Sequence, residues 1–242
     1  MPKDNYLFKF RSINKCFLDS IVHPALYFSK PKGFNDPFDC NINLRRIVAR
    51  AAQVATDPQR VRNLQSILKT NVPDEWAKIV EAVGVCSFSV SATHMLMWSH
   101  YADHHKGVCL TYHVPDSFYI DDIATTQLLG RASVHYGPAE LLRHFAIGDI
   151  SNRQAFLNRL VELYVTTKHR CWKYEDEVRI VRGLDGPLDI PAGFVRQICF
   201  GLETPASDIE LVTTLAKAYL SRATLTRMVR TNGEFGMRMN PL

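Results

Sequence analysis

Apolar and polar positions alternate from residue 6 to 13: Phe8 and Phe10 share one face with Ser12, and Leu7, Lys9, Arg11 and Ile13 share the other. That period of two predicts a strand opening a sheet. Residues 26–29, LYFS, predict a second short strand, ended by a loop that Pro31, Gly33, Asn35, Asp36 and Pro37 punctuate. From residue 42 to 83 the apolar spacing becomes helical, divided by Pro58 and Pro73, and VGVCSFS at 83–89 returns to strand. A helix carrying Leu96, Trp98 and Tyr101 follows, with Ser91 or Thr93 as its cap and Gly107 as the turn into the strand VCLTYHV. Further helices are predicted over 138–147, 153–166 and 208–220, and strands over 172–181 and 195–200.

This order is mixed. It has no repeat and lacks the regular strand–helix alternation of a doubly wound fold, so it predicts an α+β protein. Short strands separated by helical segments predict a split or strongly bent mixed sheet flanked by helices. The 242 residues, 46% of them hydrophobic, can bury a substantial core as a single compact domain over 1–242, with a mainly helical insertion around 42–82.

Charge adds one asymmetry. The formal net charge is +5, and residues 1–50 alone carry nine Lys or Arg against four Asp or Glu. Such a bias can steer an anionic partner such as a dinucleotide or nucleic acid; it is equally compatible with an ordinary solvated surface. The opening MPKDNYLFKFRS lacks the apolar core of a secretory signal, and no apolar run reaches the ~18 residues needed to span a bilayer. The expectation is a cytoplasmic protein without a membrane partner. Six cysteines at 16, 40, 86, 109, 171 and 199 contain no CxxC pair, which predicts reduced, mostly buried thiols.

The chemistry is concentrated in three segments, at 27–40, 91–114 and 171–181. On a strand, Glu175, Glu177 and Arg179 would share one face, with successive members ~7 Å apart, close enough to serve one substrate. The same spacing also describes a surface Glu177–Arg179 pair worth only ~0.2–1 kcal/mol. Arg11, in a largely apolar aromatic strand, needs water or a partner. Asn35 and Asp36 can bond their own turn or shape a pocket edge. Trp98 and Tyr101 lie i,i+3 on one helical face, as an aromatic wall or as core. His100 and His104 lie i,i+4 without a HExxH pattern or a third ligand, so no metal is predicted. Neither GxGxxG nor a P-loop is present.

The ordered set FKFRS (8–12), LYFSKPKGFNDPFDC (26–40), CSFSV (86–90), MWSHYADHHKGVCL (97–110), WKYEDEVRIV (172–181) and VRQICFG (195–201) resembles the bacterial DUF2971 family across nearly the whole chain. More distantly, the chain resembles ADP-ribosyltransferases. Their divided sheet carries an Arg or His on an early strand, a Ser or Tyr on the next and a late-strand Glu, here Arg11, the Tyr27–Ser29 strand end and Glu177, with Glu175 completing a Glu-x-Glu pair.

That second resemblance implies an ADP-ribosyltransferase-like fold and cleavage of NAD, a glycosyltransferase-type reaction, in bacterial defence or as a toxin. Glu177 and Glu175 would be catalytic. Arg11, Ser29, Tyr27, Asn35, Asp36, Trp98 and Tyr101 would bind the cofactor, and a protein or nucleic acid would be the acceptor unless NAD is simply hydrolysed. The alternative is a non-catalytic nucleotide- or nucleic-acid-binding regulatory domain. The two readings differ in whether Arg11, Ser29 and Glu177 line one pocket.

Overall fold

The computed structural model describes residues 6–119, 127–232 and 235–242, so the charged opening segment 1–5 lies outside the described residues. The first strand, β1 (Tyr6–Arg11), leads into α1 (Lys15–Val22), where Asn14 caps the helix by accepting from Phe17 N at 3.0 Å. After β2 (Ala25–Phe28), three helices follow: α2 (Leu44–Val54), α3 (Pro58–Leu68) and α4 (Val72–Glu81). Pro58 and Pro73 sit in the first turns of α3 and α4, where a missing N–H costs nothing, so the dividing prolines start helices rather than merely interrupting one.

Next come β3 (Gly84–Ser89), α5 (Met95–Tyr101), β4 (Val108–His113), β5 (Leu128–Ser133) and β6 (His135–Tyr136). Two helices, α6 (Ala139–Ile147) and α7 (Arg153–Thr166), lead into β7 (Thr167–Lys168), β8 (Glu177–Arg182), β9 (Gly186–Asp189) and β10 (Val195–Phe200). The chain ends with α8 (Ala206–Tyr219), β11 (Thr224–Arg230) and β12 (Met237–Pro241).

Eight strands form one mixed sheet in the order β12-β11-β10-β4-β1-β3-β8-β5. Of its strand pairs, β10–β11 is parallel and the others are antiparallel. The expected α+β class with a mixed sheet and flanking helices is therefore present. β1 and β3 register only through Phe8 and Ser89, whereas β1 pairs with β4 from Tyr6 to Arg11 and β3 with β8 from Gly84 to Ser89. The sheet thus opens between β1 and β3. Lys9 Nζ reaches across and donates to Ser87 O at 2.8 Å, supplying a bond that regular pairing does not.

Strand alternation sorts the core onto two faces. Leu7, Cys86, Phe88, Val178 and Ile180 point to a face packed with Phe17 and Ile21 of α1 and Val212 and Ala216 of α8. Val85 and Val181 point to the other, where α2, α6 and α7 contribute Leu44, Val48, Phe145 and Leu163. A smaller cluster joins Phe10, Trp98, Cys109, Cys199 and Met228. Removing each such side chain from water contributes roughly 1.5–3 kcal/mol.

Two local expectations need correction. The strand expected over 172–181 starts only at Glu177: Arg170–Glu175 is a 3-10 turn, and Asp176 ends it in the left-handed region at φ 44°. Helix α5 starts at Met95 behind His94, which makes no side-chain cap bond, while Ser91 Oγ instead accepts from Thr93 N at 3.2 Å. The Gly107 turn has a steric cause, because a Cβ there would lie 2.2 Å from Arg11 O. All six cysteines are free, and four of them are buried. Among the described residues no helix is long and apolar enough to cross a membrane.

Candidate functional site

Where β1 and β3 part, a cleft of about 170 Å³ opens toward the loop after β2 and the start of β8. Its walls include Phe8, Phe10, Phe34, Phe88 and Met97, and its polar groups include Asn35, Asp39, Tyr101, Lys168, Glu175 and Glu177. The polar side is built from distant segments. Lys168 follows α7 directly, on a strand held beside β6, and its Nζ lies 2.5 Å from Glu175 Oε2, 3.0 Å from Glu177 Oε2 and 3.4 Å from Asp39 Oδ2.

Arg179, only 1% exposed, is the second hub. It donates to Glu177 through Nε at 2.7 Å and Nη2 at 3.1 Å, to Asp39 Oδ2 at 2.6 Å, and to Val165 O at 2.5 Å. The Glu177–Arg179 surface pair expected as one reading is instead part of a buried network. Its other members are contributed by the loop before α2 and the end of α7.

Glu175 is held differently. Tyr101 Oη donates to its Oε1 at 2.5 Å, Asn35 Nδ2 lies 3.5 Å from Tyr101 Oη, and Ser89 Oγ donates to the Glu175 carbonyl at 2.9 Å. The left-handed Asp176 turns the chain between the two glutamates, so Glu175 and Glu177 are not successive same-face residues of one strand. They nevertheless converge, because Lys168 bridges them.

Their electrostatics diverge. Burial acts to raise the pKa of Glu177, but the Arg179 guanidinium, Lys168 and a Ser87 hydrogen bond overcome it and lower the value to about 2. For Glu175, burial outweighs the opposing pull of Lys168 and Tyr101, and its pKa is raised. Lys168 itself is raised despite burial, because Glu177, Glu175 and Asp39 surround it, so it stays an ammonium. Burial also pushes the Cys40 thiol up to about 12, which removes it as a nucleophile although Arg179 Nη1 lies 3.2 Å from its sulfur.

Of the residues singled out from the sequence, Glu175, Glu177, Asn35 and Tyr101 line this cleft, and Arg11, Tyr27, Ser29, Asp36 and Trp98 are not among its lining residues. Arg11 pairs with Val108 and, half-buried, lies on the same strand face as Leu7, whereas Glu177 shares its face with Arg179 and Val181 on the opposite side of the sheet. Tyr27 is 58% exposed on a separate two-stranded ribbon, and Ser29 bridges to Val85. Trp98 is a core residue at 0% exposure, its indole donating to Ala92 O at 2.7 Å and its ring edge-on to Phe10.

Asp36 is structural. It accepts from Phe38 N at 2.9 Å and from the Trp172 indole at 2.6 Å, fixing the loop that delivers Asp39. Asp39 and Lys168, central to the network, carried no readable sequence signal: one sits inside a turn-rich loop, the other follows an apolar helix, and neither has a sequence neighbour that reveals its partner.

The arginine, serine and glutamate that the ADP-ribosyltransferase resemblance requires therefore do not meet. Among the described residues, no group of three or more His, Cys, Asp or Glu side chains is placed to hold a metal ion. No curated protein and no solved structure matches the chain. The matching family's description carries no activity, and no ADP-ribosyltransferase homology is shown, so the expected ADP-ribosyltransferase, glycosyltransferase and toxin roles are not supported. What the comparison establishes is that residues 97–180, the stretch holding Tyr101, Lys168, Glu175, Glu177 and Arg179, match the model described as Protein of unknown function (DUF2971).

Proposed function

We propose that the cleft performs general acid–base chemistry on a single flat, ring-sized polar substrate, with Glu175 as the group that carries the proton. The observation behind this reading is the divergence of two bridged carboxyls: Glu177 is lowered to about 2 while Glu175 is raised. Neighbouring acids pushed in opposite directions divide naturally into a proton carrier and a fixed charge. Three carboxyls share Lys168 and Arg179, and Glu177 and Asp39 take Arg179, so the shortfall in positive charge falls on Glu175.

The size favours one ring. A cavity of ~150 Å³ houses a benzene ring, and the cleft is about 170 Å³. Its phenylalanine walls suit the faces of a nucleobase or comparable heterocycle, whose edge would meet Glu175, Tyr101 and Asn35. In such a reaction Glu175, in the protonated form that its raised pKa favours, passes its proton to a ring nitrogen or exocyclic oxygen. The carboxylate left behind is stabilised by the Lys168 ammonium and the Tyr101 hydroxyl, and the proton returns from product or water. Glu177 stays ionised throughout and, with Arg179, keeps Lys168 in place.

The test is a panel of free bases, nucleosides and dinucleotides, followed by thermal shift for binding and by mass spectrometry for conversion. The reading expects stabilisation by ring-sized members and conversion that Glu175→Gln abolishes while the fold persists. Binding without conversion would make the cleft a non-catalytic nucleotide-type site. No stabilisation by any ring-sized member of the panel would contradict the reading outright.

A further inference from the structure

A second cavity, of about 440 Å³, lies in the helical layer between α3, α4, α6 and α7. It is within the size range of small-molecule sites and about three times the volume that holds one benzene ring. Its floor is apolar: Leu64 and Phe145 are buried, the Trp76 ring stacks on Phe145 at 5.7 Å, and Phe145 meets Phe156 edge-on at 5.9 Å. Water against such walls is released favourably by an apolar occupant.

The rim is charged and asymmetric. Arg60, Arg153 and Glu75 are the charged residues that line the cavity, an excess of one positive charge. Arg60 is anchored by donating to Gly148 O. Arg153 begins α7, is exposed and makes no hydrogen bond or ion pair among the described residues. A guanidinium fork beside an aromatic hollow selects an anionic head on an apolar body.

We propose that this cavity binds an amphipathic monocarboxylate, with its hydrocarbon or ring body against Trp76, Phe145 and Phe156 and its carboxylate on Arg153. The site is separate from the cleft and does not depend on the chemistry assigned there.

The experiment uses 1-anilinonaphthalene-8-sulfonate as the probe, excited by energy transfer from tryptophan, and displaces it with decanoate or decanol. Saturable transfer should be lost in Trp76→Phe, which keeps Trp98 and Trp172. Decanoate should displace the probe at about tenfold lower concentration than decanol, the scale of one charge-assisted hydrogen bond. Arg153→Ala, a surface change, should leave the circular dichroism spectrum intact and erase that difference. Equal displacement by the acid and the alcohol, an unchanged ratio in Arg153→Ala, or transfer that survives Trp76→Phe would each overturn the proposal.

Discussion

Arg179 shows how far a residue's role can depart from its sequence neighbourhood. Its place two residues after Glu177 describes an ordinary strand pair, yet it is buried against Glu177 and Asp39 and also bonds the carbonyl of Val165. Removing one partner from a buried ionic network leaves the others uncompensated, so Arg179→Met should cost about 3–5 kcal/mol in urea unfolding. The two glutamates also give opposite pH signs. Glu177, lowered from the ordinary 4.5 to about 2, contributes stability that is present above pH 4.5 and lost as pH falls toward 2. Glu175, raised above 4.5, favours the folded state below that value and loses its contribution as pH rises through its folded pKa. Together they predict a stability maximum near pH 4.5 for this pair, which urea melts of wild type and Glu175→Gln across pH 2–8 would reveal. In Glu175→Gln the loss on the alkaline side should shrink and the loss on the acid side should remain.

At the scale of elements, long patterns were readable and local geometry was not. Helix α7 (Arg153–Thr166) and strand β10 (Val195–Phe200) fall where their periodicity predicts, because each has enough turns or alternations to specify a face. The segment before β8 does not. CWKYEDEVRIV alternates well enough to pass for one strand, but a single left-handed residue, Asp176, breaks it and turns Glu175 toward Lys168 and Tyr101. Helix α1 and strands β5, β9, β11 and β12 are not foreshadowed by the sequence pattern. The first is eight residues long, and β9 spans only four, too short to express a period. Since L-residues pay roughly 1–2 kcal/mol in the left-handed conformation, a β-branched side chain at 176 should be worse than aspartate and glycine better. Asp176→Val should lower stability by about 1–2 kcal/mol, and Asp176→Gly should preserve or slightly raise it. Denaturant midpoints of the two variants check the order, and the same midpoints for both would contradict a left-handed turn.

For the whole molecule, the decisive fact is which side of the sheet a side chain takes. Arg11 and Glu177 were expected to converge; alternation along β1 and β8 instead places them on opposite faces. Sequence alone could read each alternation but not how the two strands are set into one sheet, and β1 and β8 are separated there by β3. The cleft's partial legibility has the same origin: Glu175, Glu177, Asn35 and Tyr101 stood out by type and spacing, while Asp39 and Lys168 gained meaning only when the split between β1 and β3 gathered them. Accordingly, Arg11→Ala should leave the affinity of any ring-sized ligand unchanged and shift stability by no more than ~0.5 kcal/mol. Lys168→Met should weaken that ligand's binding or turnover by removing the cation shared by three carboxyl groups. Isothermal titration with the best ligand of the heterocycle panel separates these outcomes, and a large loss in Arg11→Ala would mean that the ligand sits elsewhere.

The central claim is that Glu175 holds a proton beside an ionised Glu177, and it can be read directly from the carboxyl carbons. Carbon-13 NMR of protein labelled at the glutamate side-chain carboxyls, titrated from pH 2 to 8 and assigned with Glu175→Gln, should show one resonance titrating above 4.5 that vanishes in the variant. A second, that of Glu177, should remain ionised down to about pH 2. A Glu175 carboxyl fully ionised at pH 4, or a Glu177 carboxyl that protonates first, would contradict the account.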